Sequence, residues 1–211
     1  MTYQEMLKLK IKPFGLLAVF FLISLFSFSQ VIQTKDKEFN IEILAARKLK
    51  KVQLSTLTIL QSDKLKTVFI KIDMSSVDKS KKEFDVNKFI LLDTVNKLKI
   101  RALDISYQNF SAYSSFDILT KKKHSFNPKH SILTYDKSIP DTFENYDFEG
   151  FDTLEIPINY GSKKRPEPHV IYYKPKKFKS KKVVFFFPFP KAENKGVLYY
   201  GNQKIAVLNF E

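Results

Sequence analysis

The sequence predicts an all-β protein, a sandwich of short antiparallel strands. Three observations predict it. Apolar and polar residues alternate with a period of two, as in Val68, Ile70, Ile72 and Met74 against Thr67, Phe69, Lys71 and Asp73, which is the pattern of a half-buried strand. Turn-forming pairs such as Asp63-Lys64 and Gly201-Asn202 separate these runs at close intervals. Long helical periodicity is missing from residue 30 onward. Many short strands between turns are the mark of a sandwich.

The run Val183 to Pro190 organises the prediction. Val183, Phe185, Phe187 and Phe189 fall on one face of an extended chain, and Val184, Phe186 and Pro188 on the other. Both faces are apolar, so a central strand covered on both sides is expected. Lys181 and Lys182 precede it and Lys191 follows.

In chain order, Phe39, Ile41 and Ile43 mark a first strand. The basic stretch Ala45 to Lys51 suits a helical turn or a loop, and Val52 to Leu60 favours extended structure. Thr67 to Met74 is the next strand, and Ser75 to Glu83 a charged loop. Phe89 to Leu92 and Leu98 to Leu103 flank a turn at Asp93 to Asn96, as in a hairpin with a four-residue loop. Leu98, Ile100 and Ala102 are expected inward, with Lys99 and Arg101 outward. A less regular excursion covers 106–168. Within it Tyr107, Phe110, Tyr113 and Phe116 recur every third residue, which suits core packing or a short helix. Asp141 and Glu144 have the spacing of a capping box, so a short helix is expected to start there. Leu154 to Ile158 carries Pro157 and suits an edge strand. Val170 to Tyr173 is a short strand, and Val197 to Tyr200 and Lys204 to Phe210 form a hairpin about Gly201-Asn202.

The first 29 residues are expected to be a secretory signal. Lys8, Lys10 and Lys12 form its basic end, Phe14 to Phe28 its apolar run, and Ser27-Phe28-Ser29 its cleavage site. The apolar run is short of the ~20 residues of a membrane span. Cleavage after Ser29 would leave Gln30 first; the alternative is an uncleaved anchor, through which alone a membrane would be a partner. Residues 30–211 are expected to form a single domain. Cys and Trp are absent, while 21 Phe and 10 Tyr can build the core. The net charge of +14 favours anionic partners. An envelope protein or an anionic polymer fits such a charge, with no specific nucleic acid indicated.

Three blocks carry a family resemblance: Thr67 to Met74; Phe89 to Asp93 with the return strand Leu98 to Ile105; and Lys182 to Pro188 followed by Leu198-Tyr199-Tyr200. In order and spacing they resemble the telokin-like, immunoglobulin-like domain of bacterial envelope lipoproteins of unknown function. The resemblance implies an immunoglobulin-like antiparallel β-sandwich in a periplasmic or extracellular setting. It implies no catalytic residues. The chain departs from that family in having no Cys to carry a lipid and in the length of 106–168.

Motifs for chemistry are few. His124, His130 and His169 do not pair at the spacing of a metal-binding helix, so no metal and no cofactor is expected. The acidic stretch 136–155 lacks the alternating Asp loop of a calcium site. Four Gly beyond the leader and no Gly-x-Ser-x-Gly exclude phosphate-cradling loops and a nucleophile elbow. The remaining candidate is anion binding by Lys174, Lys176, Lys177, Lys179, Lys181 and Lys182. The competing role of these charges is to guard Val183 to Phe187 against aggregation. A non-enzymatic accessory or binding module of a cell envelope is expected, with a structural subunit or a hydrolase of envelope polymers as alternatives.

Overall fold

Phe-rich alternation does what its period dictates: the strand containing Val183 to Pro190 has neighbours on both sides. A computed structural model describes residues 31–49, 62–109, 112–125 and 133–211, apart from the side chains of 107–109 and 112–115. The leader at 1–29, the extended run at 52–60, Phe110, and Pro128 to His130 lie outside the described residues.

The strands follow one another as β1 (Val31–Gln33), β2 (Phe39–Leu49), β3 (Leu65–Ser76), β4 (Lys82–Phe84), β5 (Phe89–Asp93) and β6 (Leu98–Ile100). Next come β7 (Asp104–Asn109), β8 (Ala112–Ser115), β9 (Ile118–Thr120), β10 (Leu133–Thr134), β11 (Asp152–Leu154) and β12 (Ile158–Asn159). The C-terminal part adds β13 (Pro168–His169), β14 (Ile171–Tyr173), β15 (Lys176–Phe178), β16 (Ser180–Pro190), β17 (Lys195–Tyr200) and β18 (Gln203–Asn209). Among the described residues there is no α-helix, only short 3-10 turns at Val86–Lys88 and Thr142–Asn145.

The largest sheet has the order β1-β2-β3-β16-β7-β8, so β16 is interior to it. β16 runs antiparallel to β3 from Ser180 opposite Ser75 to Pro190 opposite Leu65. β7 pairs only with Val183 to Phe186. It ends before Pro188, which has no N–H to contribute to a ladder. A second sheet has the order β11-β6-β5-β17-β18. Smaller sheets are β10-β9-β14, β12-β13 and β15-β4. Most pairs are antiparallel, but β11 joins β6 and β10 joins β9 in parallel.

Side chains from the two larger sheets meet in one core. Phe89 of β5 lies 4.7 Å from Phe185 of β16, ring to ring, and Phe189 lies 5.1 Å from Phe210. Val68, Ile70, Ile72, Val183, Phe185, Phe187 and Phe189 are fully buried. On the opposite face of β16, Val184 and Pro188 are buried and Phe186 is half-buried beside Phe69, at 5.9 Å. The expected central strand is therefore present. β5 is also buried on both faces, because Ile90 and Leu92 pack on Phe143 with Phe148, Phe151 and Tyr199 around them.

Several expectations are corrected. Ala45 to Leu49 continues β2 as strand, with a bulge between Ile43 and Ala45 that leaves Leu44 exposed. Lys99 and Arg101 are buried, not outward. The 139–155 segment folds over that face: Lys99 Nζ and Arg101 Cζ stand 4.5 and 4.0 Å from the Phe143 ring centre. Tyr107 and Tyr113 lie on the paired strands β7 and β8 and not on a helix, while Phe116 is buried in the core. The capping residue Asp141 does start a turn, a 3-10 one, accepting from the Phe143 amide at 3.3 Å. Gly201 adopts φ +58 in the expected β17–β18 turn, and a Cβ there would meet the Tyr146 ring at 2.9 Å.

Replacing Phe185 or Phe187 with Ala is expected to cost about 3–5 kcal/mol of unfolding free energy. Denaturant unfolding followed by tyrosine fluorescence measures it. A loss below about 1 kcal/mol, the range of surface sites, would place that ring outside the core.

Candidate functional site

Extended chain places residues two apart on one face. Glu167 and His169, around Pro168, take that arrangement at the start of β13. The β12–β13 hairpin that carries them is tightly closed. Asn159 Oδ1 accepts from the amides of Gly161 and Glu167 at 3.0 and 2.7 Å, and Tyr160 and Glu167 are joined by a backbone bond of 3.0 Å. A Cβ on Gly161 would sit 2.1 Å from the Arg165 carbonyl oxygen, so only glycine fits the turn.

The loop that leaves β9 brings His124 to this hairpin. The His124 and His169 rings lie 4.5 Å apart. Glu167 Oε1 is 3.3 Å from His169 Nε2 and 3.7 Å from His124 Nδ1. The three side chains are at most a tenth exposed. Glu167 Oε1 also accepts from the Ser125 amide at 2.6 Å. That bond is the main reason its carboxyl stays below the usual range, so it is ionised at neutral pH.

His169 Nδ1 is 2.6 Å from Thr120 Oγ1, whose hydroxyl faces the Lys122 carbonyl at 3.4 Å, so Thr120 holds the orientation of the ring. Burial lowers the His169 pKa, with the neighbouring His124 acting in the same direction, which favours the neutral ring at pH 7. Nε2 of His169, Oε2 of Glu167 and the hydroxyl of Tyr160 are buried with no hydrogen-bond partner among the described residues. Tyr160 flanks the cluster, its ring 6.2 Å from that of His169. Two imidazoles and one carboxylate thus share a small enclosed space. They can donate electron pairs to a positive centre held between them.

Sequence reasoning set these histidines aside because it looked for helical ligand spacing. The legible signal was the Glu-x-His pair on a strand. His124 had none, since only the β9–β14 pairing brings its loop alongside.

The lysine run is divided by the fold. Lys176 bonds Asp117 at 3.2 Å and spans the Phe116 ring; Lys181 lies over Phe178. Lys174, Lys177, Lys179 and Lys182 are exposed. Lys176 and Lys177 lie on β15, a short strand paired to β4, while Lys181 and Lys182 open β16 itself. The charges therefore flank the most apolar strand of the chain, as an aggregation guard would.

Several other buried polar groups are engaged in fixed networks. Arg101 grips Asp141 with two bonds of 2.9 and 2.7 Å and Glu155 with one of 2.6 Å. Lys121 contacts Asp141 at 3.1 Å and also bonds Glu144. Asp85 receives the Asn87 amide and side chain and the Thr142 hydroxyl. Another concavity, lined by Thr34, Asp36, Lys88, Tyr146, Tyr200 and Gln203, is open to solvent.

Asp141→Ala would leave Arg101 partly unpaired inside the fold and is expected to cost about 3–5 kcal/mol, read from denaturant midpoints. Replacing the exposed Lys177, Lys179 and Lys182 together with Gln should leave the melting temperature nearly unchanged and lower the refolding yield. Light scattering during dilution from denaturant measures the second effect.

No family model, curated protein or solved structure matches this chain.

Proposed function

We propose that this protein is an exported, non-enzymatic binding module of a bacterial cell envelope, built as an immunoglobulin-like β-sandwich. The observation that carries the reading is the enclosed His124–Glu167–His169 cluster on an otherwise all-β scaffold. Its electron-pair donors converge, while the carboxylates buried elsewhere are already committed. Asp93 accepts from the amides of Val95 and Asn96, Asp141 from Arg101, and Asp85 from Asn87 and Thr142. Carboxylates fixed in this way are poorly placed to exchange protons with a substrate, which favours holding a ligand over transforming one.

Export is supported by the basic, apolar and small-residue succession from Lys8 to Ser29. The envelope setting is supported by the order of Phe-rich and Leu-x-Tyr strands, here β16 and β17. Two facing sheets with a shared aromatic core support the immunoglobulin-like reading. Surplus positive charge favours contact with anionic envelope polymers or an envelope protein.

Mass spectrometry of the protein recovered from periplasm or medium is expected to find Gln30, or its cyclised form, at the N-terminus. An intact Met1 chain retained in the cell would overturn export. Incubation with purified envelope polymers is expected to release no fragments above the buffer control; catalytic release would establish a hydrolase.

A further inference from the structure

Donor atoms in this cluster lie close to the separations of a coordinated set. Ligands about 2.0–2.2 Å from a tetrahedral ion stand about 3.3–3.6 Å from one another. Glu167 Oε1 lies 3.3 Å from His169 Nε2 and 3.7 Å from His124 Nδ1. One donor atom from each of the three residues lies within 4.8 Å of the other two. We propose that His124, Glu167 and His169 coordinate a single divalent transition-metal ion, and that Zn2+ is the ion this donor set fits. The inference deepens the binding-module reading, on which it rests, by naming the ligand.

One feature marks this arrangement. His169 Nε2 is buried 3.3 Å from Glu167 Oε1 with no hydrogen-bond partner among the described residues, although buried polar groups are nearly always satisfied. A cation held between the imidazole and the carboxylate supplies that partner.

The surroundings match those of metal ligands. A ligating histidine commonly has its other ring nitrogen hydrogen-bonded to an oxygen that fixes its orientation; Thr120 Oγ1 stands in that place, 2.6 Å from His169 Nδ1. The Ser125 amide orients the Glu167 carboxylate. The Asn159-pinned hairpin holds Glu167 and His169 on one rigid element. Two nitrogens and one carboxylate suit Zn2+ and its neighbours in the transition series. They do not suit Ca2+ or Mg2+, which take six or more oxygens. With each ligand side chain at most a tenth exposed, the ion would be enclosed, closing the β9 loop onto the β12–β13 hairpin.

The test uses the purified protein without a histidine tag, in metal-free buffer. Titration with Zn2+ against a chromophoric chelator is expected to give one ion per chain and to raise the melting temperature. Co2+ is expected to give the strong visible absorption of a four-coordinate site with nitrogen and oxygen donors, while Ca2+ and Mg2+ should have no effect. His124→Gln and His169→Gln are each expected to lower Zn2+ affinity at least a hundredfold, and Glu167→Gln at least tenfold, with circular dichroism unchanged. If a variant fails to fold, the stoichiometry of the unaltered protein and its Co2+ spectrum decide. No stoichiometric Zn2+ on the folded protein, or equal binding by folded His169→Gln, would overturn the metal site. Either result would leave the binding-module reading standing. Polymer hydrolysis or retention in the cell would remove that reading without altering the zinc titration.

Discussion

Everything in this fold is arranged around the burial of one strand. β16 carries Val183, Phe185, Phe187 and Phe189 into the core and Val184 and Pro188 into cover on the other side. A backbone so placed must find all its hydrogen bonds within the sheet. β3 provides a full-length ladder on one edge and β7 a shorter one on the other. The second sheet then has to present a complementary apolar face. Phe89, Leu91, Ile100, Leu198 and Phe210 do so, with Phe84 bridging from Phe39 to Phe89 and Phe116. Phenylalanine rings in tilted and edge-on contact fill this core, in a chain without Trp or Cys.

The 139–155 segment covers the outer side of the second sheet. It supplies Phe143 to pack on Ile90 and Leu92, and its carboxylates meet the two cations that β6 sends to the same side. Arg101 under such a cover requires partners for its charge, and the bidentate bond to Asp141 with the Glu155 contact provides them. Such a pair adds little to net stability against an apolar alternative, but it pins one long connection to one place. Asp141 and Glu155 of the acidic stretch are thereby structural.

The His124–Glu167–His169 cluster differs in kind from that network. There, cations meet carboxylates; here, two imidazoles and one carboxylate converge, with Thr120 and Ser125 fixing the orientation of His169 and Glu167 from outside. It also joins two elements that backbone pairing leaves short: the loop after β9 and the two-residue strands β12 and β13. A ligand at this point would link segments with little hydrogen bonding of their own.

Local pattern alone determined the strand class, the inward faces of β3 and β16, the β5–β6 and β17–β18 hairpins, and the central position of Val183 to Phe189. Each depends on alternation with period two or on turn residues, and both are properties of neighbours in the chain. Tertiary structure decided the rest. Lys99 and Arg101 read as outward because alternation assigns a face without saying what will cover it. Ala45 to Leu49 read as a turn or loop because its own residues are basic, while its extended form comes from pairing with β3. His124 carried no signal, because its meaning lies in residues more than forty positions away, brought near only when β9 pairs with β14. Faces are set by the geometry of an extended backbone and are local; enclosure and ligand geometry need long-range pairing, which no short stretch of sequence contains.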